Sequence, residues 1–178
     1  MRGVHSLVDT GRRRGVVLNG GGTVTMELRD YQRASVDELI GQLDPKGRSR
    51  VIYQLPTGGG KTAIGGEVVA RYLDATDDAR STWVTHRREL ELQSSGRLVS
   101  EHGVERHRVV VASPIRAHNM FKRGVIGNEG DLLIVDEAHH SVARSWSSLV
   151  KQWPGPALGL TATPWRFCLL YTSPSPRD

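Results

Sequence analysis

From residue 26 onward, short apolar runs alternate with longer stretches in which apolar residues recur every three or four positions. The runs Val51–Leu55, Thr82–Thr85, Val109–Ala112, Leu132–Val135 and Leu158–Leu160 are too short for helices and largely apolar. They predict strands buried on both faces. Between them, Tyr31–Leu43, Lys61–Leu73, Arg87–Ser100, Ile115–Arg123 and Trp146–Gln152 carry a helical period. Strand then helix, repeated, predicts a doubly wound α/β domain, a parallel sheet with helices on both faces. Residues 1–25 are Gly- and Arg-rich and lack any such period. They are expected to be a disordered leader or, alternatively, upstream DNA read in frame with the true start at Met26.

The 178 residues suffice for one domain with a real core but not for two large ones. A hydrophobic share of 38% and a charged share of 24% fit a soluble globular chain. No apolar run approaches the length of a bilayer span, and Gly15–Leu18 is too short for a signal-peptide core, so a cytoplasmic protein is expected. Cys168 is the only cysteine, which excludes an intrachain disulfide or a cysteine-based metal site. The net charge of +5 invites a nucleic-acid partner, yet the leader carries +3 of it and residues 26–167 only +2. Local motifs must therefore carry the functional argument.

LPTGGGKT, residues 55–62, follows a predicted strand and opens a predicted helix, the setting that a phosphate-binding loop requires. Thr57, Gly58, Gly59 and Gly60 can curl the backbone so that successive N–H groups converge on one anion, aided by the helix N-terminus. Lys61 can reach the β- and γ-phosphates of a nucleotide, and Thr62 offers a hydroxyl to Mg²⁺. Leu55 stands where the general GxxxxGK[ST] pattern has glycine, so the loop taken alone could be an ordinary Gly-rich turn.

LLIVDEAHH, residues 132–140, places two carboxylates just past an apolar strand, where an open parallel sheet holds its ligands. Asp136 would hold Mg²⁺ through its water shell, and Glu137 would orient and deprotonate an attacking water. By themselves they could also be solvated loop charges. His139 and His140, with His118, raise a zinc site, but adjacent histidines point in different directions and make a poor ligand set.

With these motifs placed, residues 28–166 resemble the superfamily 2 helicases, in their DEAD/DEAH-box branch. LRDYQ (28–32) resembles the Q motif, LPTGGGKT motif I, VTHRREL (84–90) motif Ia, VDEAHH motif II and LTATP (160–164) motif III. The first glycine of the general loop is commonly absent from this motif I, which accounts for Leu55. VDEAHH together with LGLTATPWR most resembles the subgroup of the type III restriction enzyme motor subunit and related DNA repair and transcription translocases.

The resemblance implies a RecA-like P-loop NTPase domain that uses ATP and Mg²⁺ and moves on nucleic acid, DNA in preference to RNA. It implies that Gln32 reads the adenine edge, since an amide both donates and accepts. His139 would couple the nucleotide site to Thr161 and Thr163. His86, Arg87 and Arg88 of motif Ia would contact phosphates of one strand, although an Arg pair opening a helix is often a solvated face. VASPIRA (111–117) lies where the family has a second strand-contacting segment, which makes Ser113 and Arg116 candidates; Pro114, Ile115 and Arg116 depart from the usual residues. Tyr31 reads as a packing residue rather than a ligand.

The resemblance also implies two RecA-like domains, the second supplying arginine fingers to the ATP between them. Residues 26–167 match only the first, so a C-terminal RecA-like partner domain is expected to be missing, and the chain alone is expected to bind nucleotide with little turnover. CLLYTSPSPRD, residues 168–178, resembles one reading frame of a transposase-type sequencing-library adapter. The expectation is an artefactual tail, which would make Cys168 non-biological, with a natural disordered tail as the alternative.

Overall fold

The computed structural model describes residues 27–85, 98–137 and 144–162. Five strands, β1 (Arg50–Gln54), β2 (Ser81–Val84), β3 (Val109–Ala112), β4 (Leu132–Val135) and β5 (Ala157–Thr161), form one sheet in the order β1-β5-β4-β2-β3. Every pairing is parallel. Four described helices join them: α1 (Asp30–Gln42), α2 (Lys61–Ala75), α3 (Pro114–Lys122) and α4 (Arg144–Gln152). All five predicted strands are present, with ends within a residue or so of the expected ones. A short 3₁₀ turn, Arg106–Arg108, precedes β3 and was not anticipated. Of the helix expected over Arg87–Ser100, only residues 98–100 lie among those described, and they are helical.

Side chains alternate across this sheet, and each face has its own core. One face presents Trp83, Leu132, Ile134, Leu158 and Leu160 to α1 and α2, where Val36, Leu39, Ile64, Val68 and Leu73 meet them. The other presents Val84, Ala112, Leu133, Val135 and Ala157 to α3 and α4, with Ala117, Leu149 and Trp153. Both faces being covered explains why the strands are largely apolar rather than strictly alternating. The contact of α2 with the sheet is close: a side chain at Gly65 would come within 2.8 Å of the Trp83 ring. A Cβ meeting a ring at that distance would push α2 off the sheet, so glycine sets the depth at which the helix seats.

The amino ends of the strands are tied together by buried polar groups. Asp131, just before β4, accepts the backbone N–H groups of Arg80 and Asn128 on its carboxylate, and its carbonyl accepts the Trp153 indole N–H at 2.9 Å. Arg50 at the start of β1 donates to the carbonyls of Val150, Trp153 and Gly155. The carboxyl ends are built differently, and there the motifs gather.

Candidate nucleotide site

The chain leaves β1 at Leu55 and enters α2 at Lys61 through a loop that only glycine fits at two points. Gly58 and Gly60 have φ of +82° and +86°, in the left-handed region. Gly60 is the N-cap of α2. A Cβ on it would lie 2.3 Å from the Gln32 side-chain nitrogen, so the residue is required by space as well as by backbone. Leu55 anchors the base of the loop: its N–H donates to the Thr161 carbonyl at 3.0 Å, and its side chain lies against Gly59. Leucine thus serves as packing where the general motif has glycine.

Lys61 is the first residue of α2 and is buried at 8% exposure. Its ammonium turns back on the loop and donates to the Leu55 carbonyl at 3.2 Å. That ammonium is hydrogen-bonded to a neutral carbonyl and also acts on the nearby Asp136 carboxyl; a lysine so placed at a Gly-rich loop suits an anion inside the loop. Thr62 follows on the first turn of α2, half-buried.

Asp136 and Glu137 follow β4, two strands from β1, with β5 between them. Asp136 is buried at 6% exposure. Burial pushes its carboxyl above the ordinary carboxylate range and the Glu137 charge adds to this, while the Glu137 N–H, the Lys61 ammonium and the Trp83 indole favour the ionised form. The N–H of Glu137 donates to Asp136 Oδ1 at 3.0 Å. The Trp83 indole nitrogen is buried and completes no hydrogen bond of its own. Glu137 has φ of +49°, a left-handed conformation that costs a non-glycine residue energy and turns the chain sharply off the strand end. Such strain is tolerated where the direction of a side chain matters.

A divalent ion fits this donor set. A half-buried hydroxyl, Thr62, and one buried carboxylate with raised proton affinity, Asp136, suit a hard cation that takes its remaining ligands from phosphates and water. Among the described residues no group of three His, Cys, Asp or Glu side chains could hold a metal by itself; of the zinc candidates only His118 lies among them.

Gln32 and Tyr31 lie on the first turn of α1 and reach the loop. Gln32 accepts the Arg29 N–H at 2.9 Å, and its amide nitrogen stands 3.5 Å from the Gly59 carbonyl. Tyr31 is 43% exposed, and its hydroxyl donates to the same carbonyl at 3.0 Å. The expectation that Tyr31 is a packing residue is therefore corrected: its ring is open to solvent and its polar end holds the Gly-rich loop of residues 55–62. The adjacency of Tyr31 and Gln32 in LRDYQ was the available signal, but nothing in the sequence shows which way the tyrosine turns. The carbonyl of Thr161, which the sequence offered only as a hydroxyl, is likewise part of the loop's support.

Thr161 is fully buried at the end of β5, paired in register with Gln54. Ser113 is the N-cap of α3 just past β3, half-buried, with Pro114 at the first helical position; its side chain makes no capping hydrogen bond. Arg116 is exposed beside it. His86, Arg87, Arg88, His139, His140 and Thr163 lie outside the described residues, as do the leader and the tail.

Comparison with known proteins agrees with this arrangement. The family described as "Type III restriction enzyme, res subunit" matches residues 25–166. The chain belongs to that family, and it is an N-terminal RecA-like domain of the superfamily 2 helicase type. "Putative ATP-dependent helicase IRC3" of Saccharomyces cerevisiae is 31% identical over 165 residues, covering 76% of this chain and 23% of that protein. "DNA 3'-5' translocase XPB2" of Sulfurisphaera tokodaii is 30% identical over 148 residues, covering 79% of this chain and 32% of that protein. The Pyrococcus furiosus Hef helicase domain superposes with a TM-score of 0.63 at 23% identity, over 77% of this chain and 33% of that one. The bacteriophage T4 UvsW helicase gives a TM-score of 0.60 at 19% identity, over 78% and 53%. The chain therefore spans only about a quarter to a third of these curated relatives. Among the described residues no helix is long and apolar enough to cross a membrane.

Proposed function

We propose that this chain is the ATP-binding domain of a cytoplasmic motor that couples ATP hydrolysis to movement on nucleic acid, DNA in preference to RNA. The observation that carries the reading is the convergence of a left-handed glycine loop, a buried lysine and a buried Asp–Glu pair at the carboxyl edge of one parallel sheet. The family match and the DNA translocase among the relatives favour DNA. They also favour a restriction-type motor, which moves without separating strands, as the neighbouring form of the same activity.

On this reading the phosphates of ATP lie in the loop of Thr57–Gly60 at the amino end of α2. Lys61 leaves the Leu55 carbonyl for the β- and γ-phosphates. Thr62 and Asp136 would hold Mg²⁺, whose charge would offset that of the phosphates. Glu137 orients a water and takes its proton as the water oxygen bonds to the γ-phosphorus. The bond from that phosphorus to the bridging oxygen breaks, leaving ADP and inorganic phosphate. Gln32 reads the adenine. Thr161 and Thr163, with His139, pass the loss of the γ-phosphate outward, and the Leu55–Thr161 hydrogen bond is the part of that route in the fold. His86, Arg87, Arg88 and Ser113 face the nucleic-acid backbone. Arginine fingers from a second RecA-like domain complete the site, so this chain alone binds nucleotide with little turnover.

Nucleotide affinity and turnover of paired variants test the reading. Lys61→Ala should lose ATP binding. Glu137→Gln in the full-length motor should keep ATP binding and lose turnover by roughly 10²- to 10⁴-fold, the range for a general base. Unchanged ATP affinity in Lys61→Ala would contradict the phosphate site, and retained turnover in Glu137→Gln would remove Glu137 as the base.

A further inference from the structure

We infer that Tyr31 is a positioning residue for phosphate binding, acting by fixing one peptide plane of the loop. The inference rests on residues 55–62 being a phosphate site. The Tyr31 hydroxyl donates to the Gly59 carbonyl at 3.0 Å, and the Gln32 amide nitrogen approaches the same oxygen at 3.5 Å. In a trans peptide the carbonyl and the following N–H point in opposite directions. Holding the Gly59 carbonyl toward α1 therefore turns the Gly60 N–H away from α1, into the concave side of the loop where an anion would sit. Glycine on both sides of this plane gives it little resistance to rotation, and the φ of +86° at Gly60 must be held from outside.

The two holders differ. Gln32 is 8% exposed, and its other amide atom is engaged by the Arg29 N–H, so it also serves the end of α1. On the proposed reading it also turns to the adenine once nucleotide is present, which draws its amide nitrogen from Gly59. The Tyr31 hydroxyl makes no other hydrogen bond among the described residues, and its ring is open to solvent, so it can stay on the loop throughout. A preset N–H costs nothing to reorganise when the phosphate arrives, and such preorganisation appears as affinity for the polyphosphate rather than for the nucleoside.

Tyr31→Phe in the 178-residue chain removes only the hydroxyl. Competition against a fluorescent ATP analogue with Mg²⁺ present gives the affinities for ATP, inorganic tripolyphosphate and adenosine. ATP and tripolyphosphate should weaken together by about three- to tenfold, the range for one neutral hydrogen bond, with adenosine and the ligand-free unfolding midpoint unchanged. Unchanged tripolyphosphate affinity would overturn the inference, and so would an equal loss for adenosine, which would make Tyr31 a base contact. Lys61→Ala separates the two levels. If it retains tripolyphosphate, the phosphate site itself fails; if it loses tripolyphosphate while Tyr31→Phe retains it, only the role of Tyr31 fails.

Discussion

Strand β4 carries a buried aspartate at each end, and the two live in opposite circumstances. Asp131, at the amino end, is 2% exposed and accepts two backbone N–H groups from Arg80 and Asn128. Asp136, at the carboxyl end, is 6% exposed and takes a backbone N–H only from its own neighbour, Glu137, whose charge works against it. The first carboxylate is consumed in closing the fold. The second is held in the protein at a cost and has coordination to spare. A buried charge without full compensation is retained where a ligand supplies what is missing, and on the proposed reading that ligand is a cation with its phosphates.

Two glycines, one at each end, answer different needs. At the amino end, a side chain at Gly155 would come within 2.2 Å of the Asp131 carbonyl oxygen, so glycine there answers a need for close packing. At the carboxyl end, Gly58 has no neighbour within 4 Å of a built Cβ, yet its φ is +82°. That glycine answers a need of conformation alone.

Substitutions at the two ends should separate stability from binding. The largest loss of stability is expected for Asp131→Ala, which removes a buried carboxylate and strands two part-buried N–H donors, each costing up to about 1–3 kcal/mol. Chemical denaturation should show a loss of about 2–5 kcal/mol with nucleotide affinity little changed in the folded fraction; a loss under 1 kcal/mol would remove Asp131 as a structural hub. Gly60→Ala should cost less stability, about 1–2 kcal/mol for the left-handed backbone, but should remove most ATP binding because its Cβ displaces Gln32. Wild-type affinity in that variant would show that the loop tolerates a different shape.

The smallest effect concerns pH, and its sign differs between two carboxylates. Glu67 on α2 is lowered to about 2, chiefly by its hydrogen bond to His102 and further by Arg71. A lowered carboxylate stabilises the fold above its ordinary value of 4.5, and that contribution fades as pH falls toward 2. Asp136 is raised above its ordinary 3.8, so it costs nothing while protonated and penalises folding as pH rises through the raised value. Denaturation of Glu67→Gln between pH 5 and 3 should therefore show a shallower acid loss than the wild type, by a few tenths of a kcal/mol per pH unit. An unchanged slope would mean that the Glu67–His102 contact contributes nothing in solution.

How much of this was legible depended on whether a feature is written in residue type or in direction. The five strands could be read because burial on both faces leaves uninterrupted apolar runs such as LLIV and VVVA. That the Gly-rich loop and the Asp–Glu pair follow strand ends could be read because each directly follows an apolar run. The sheet order was not legible: it takes the tertiary fold to place β5 between β1 and β4, and so to bring the Thr161 carbonyl onto Leu55. Nor was the direction of Tyr31, since a tyrosine beside a glutamine on one helical turn can face core or solvent. The strain at Glu137 was equally hidden, because glutamate carries no signature of a positive φ. Of the nucleic-acid candidates, only Ser113, the N-cap of α3, and Arg116, on its first turn, lie among the described residues.

The central claim, that Asp136 is held without full compensation for a cation and its phosphates, is tested most directly by the unfolding midpoint of Asp136→Asn against wild type at neutral pH, with and without ATP and Mg²⁺. The account predicts a higher midpoint for ligand-free Asp136→Asn, because a penalised charge is gone, together with loss of the Mg²⁺-dependent stabilisation that ATP gives the wild type. A lower ligand-free midpoint, or an ATP response that depends on Mg²⁺ as strongly as the wild type's, would contradict it.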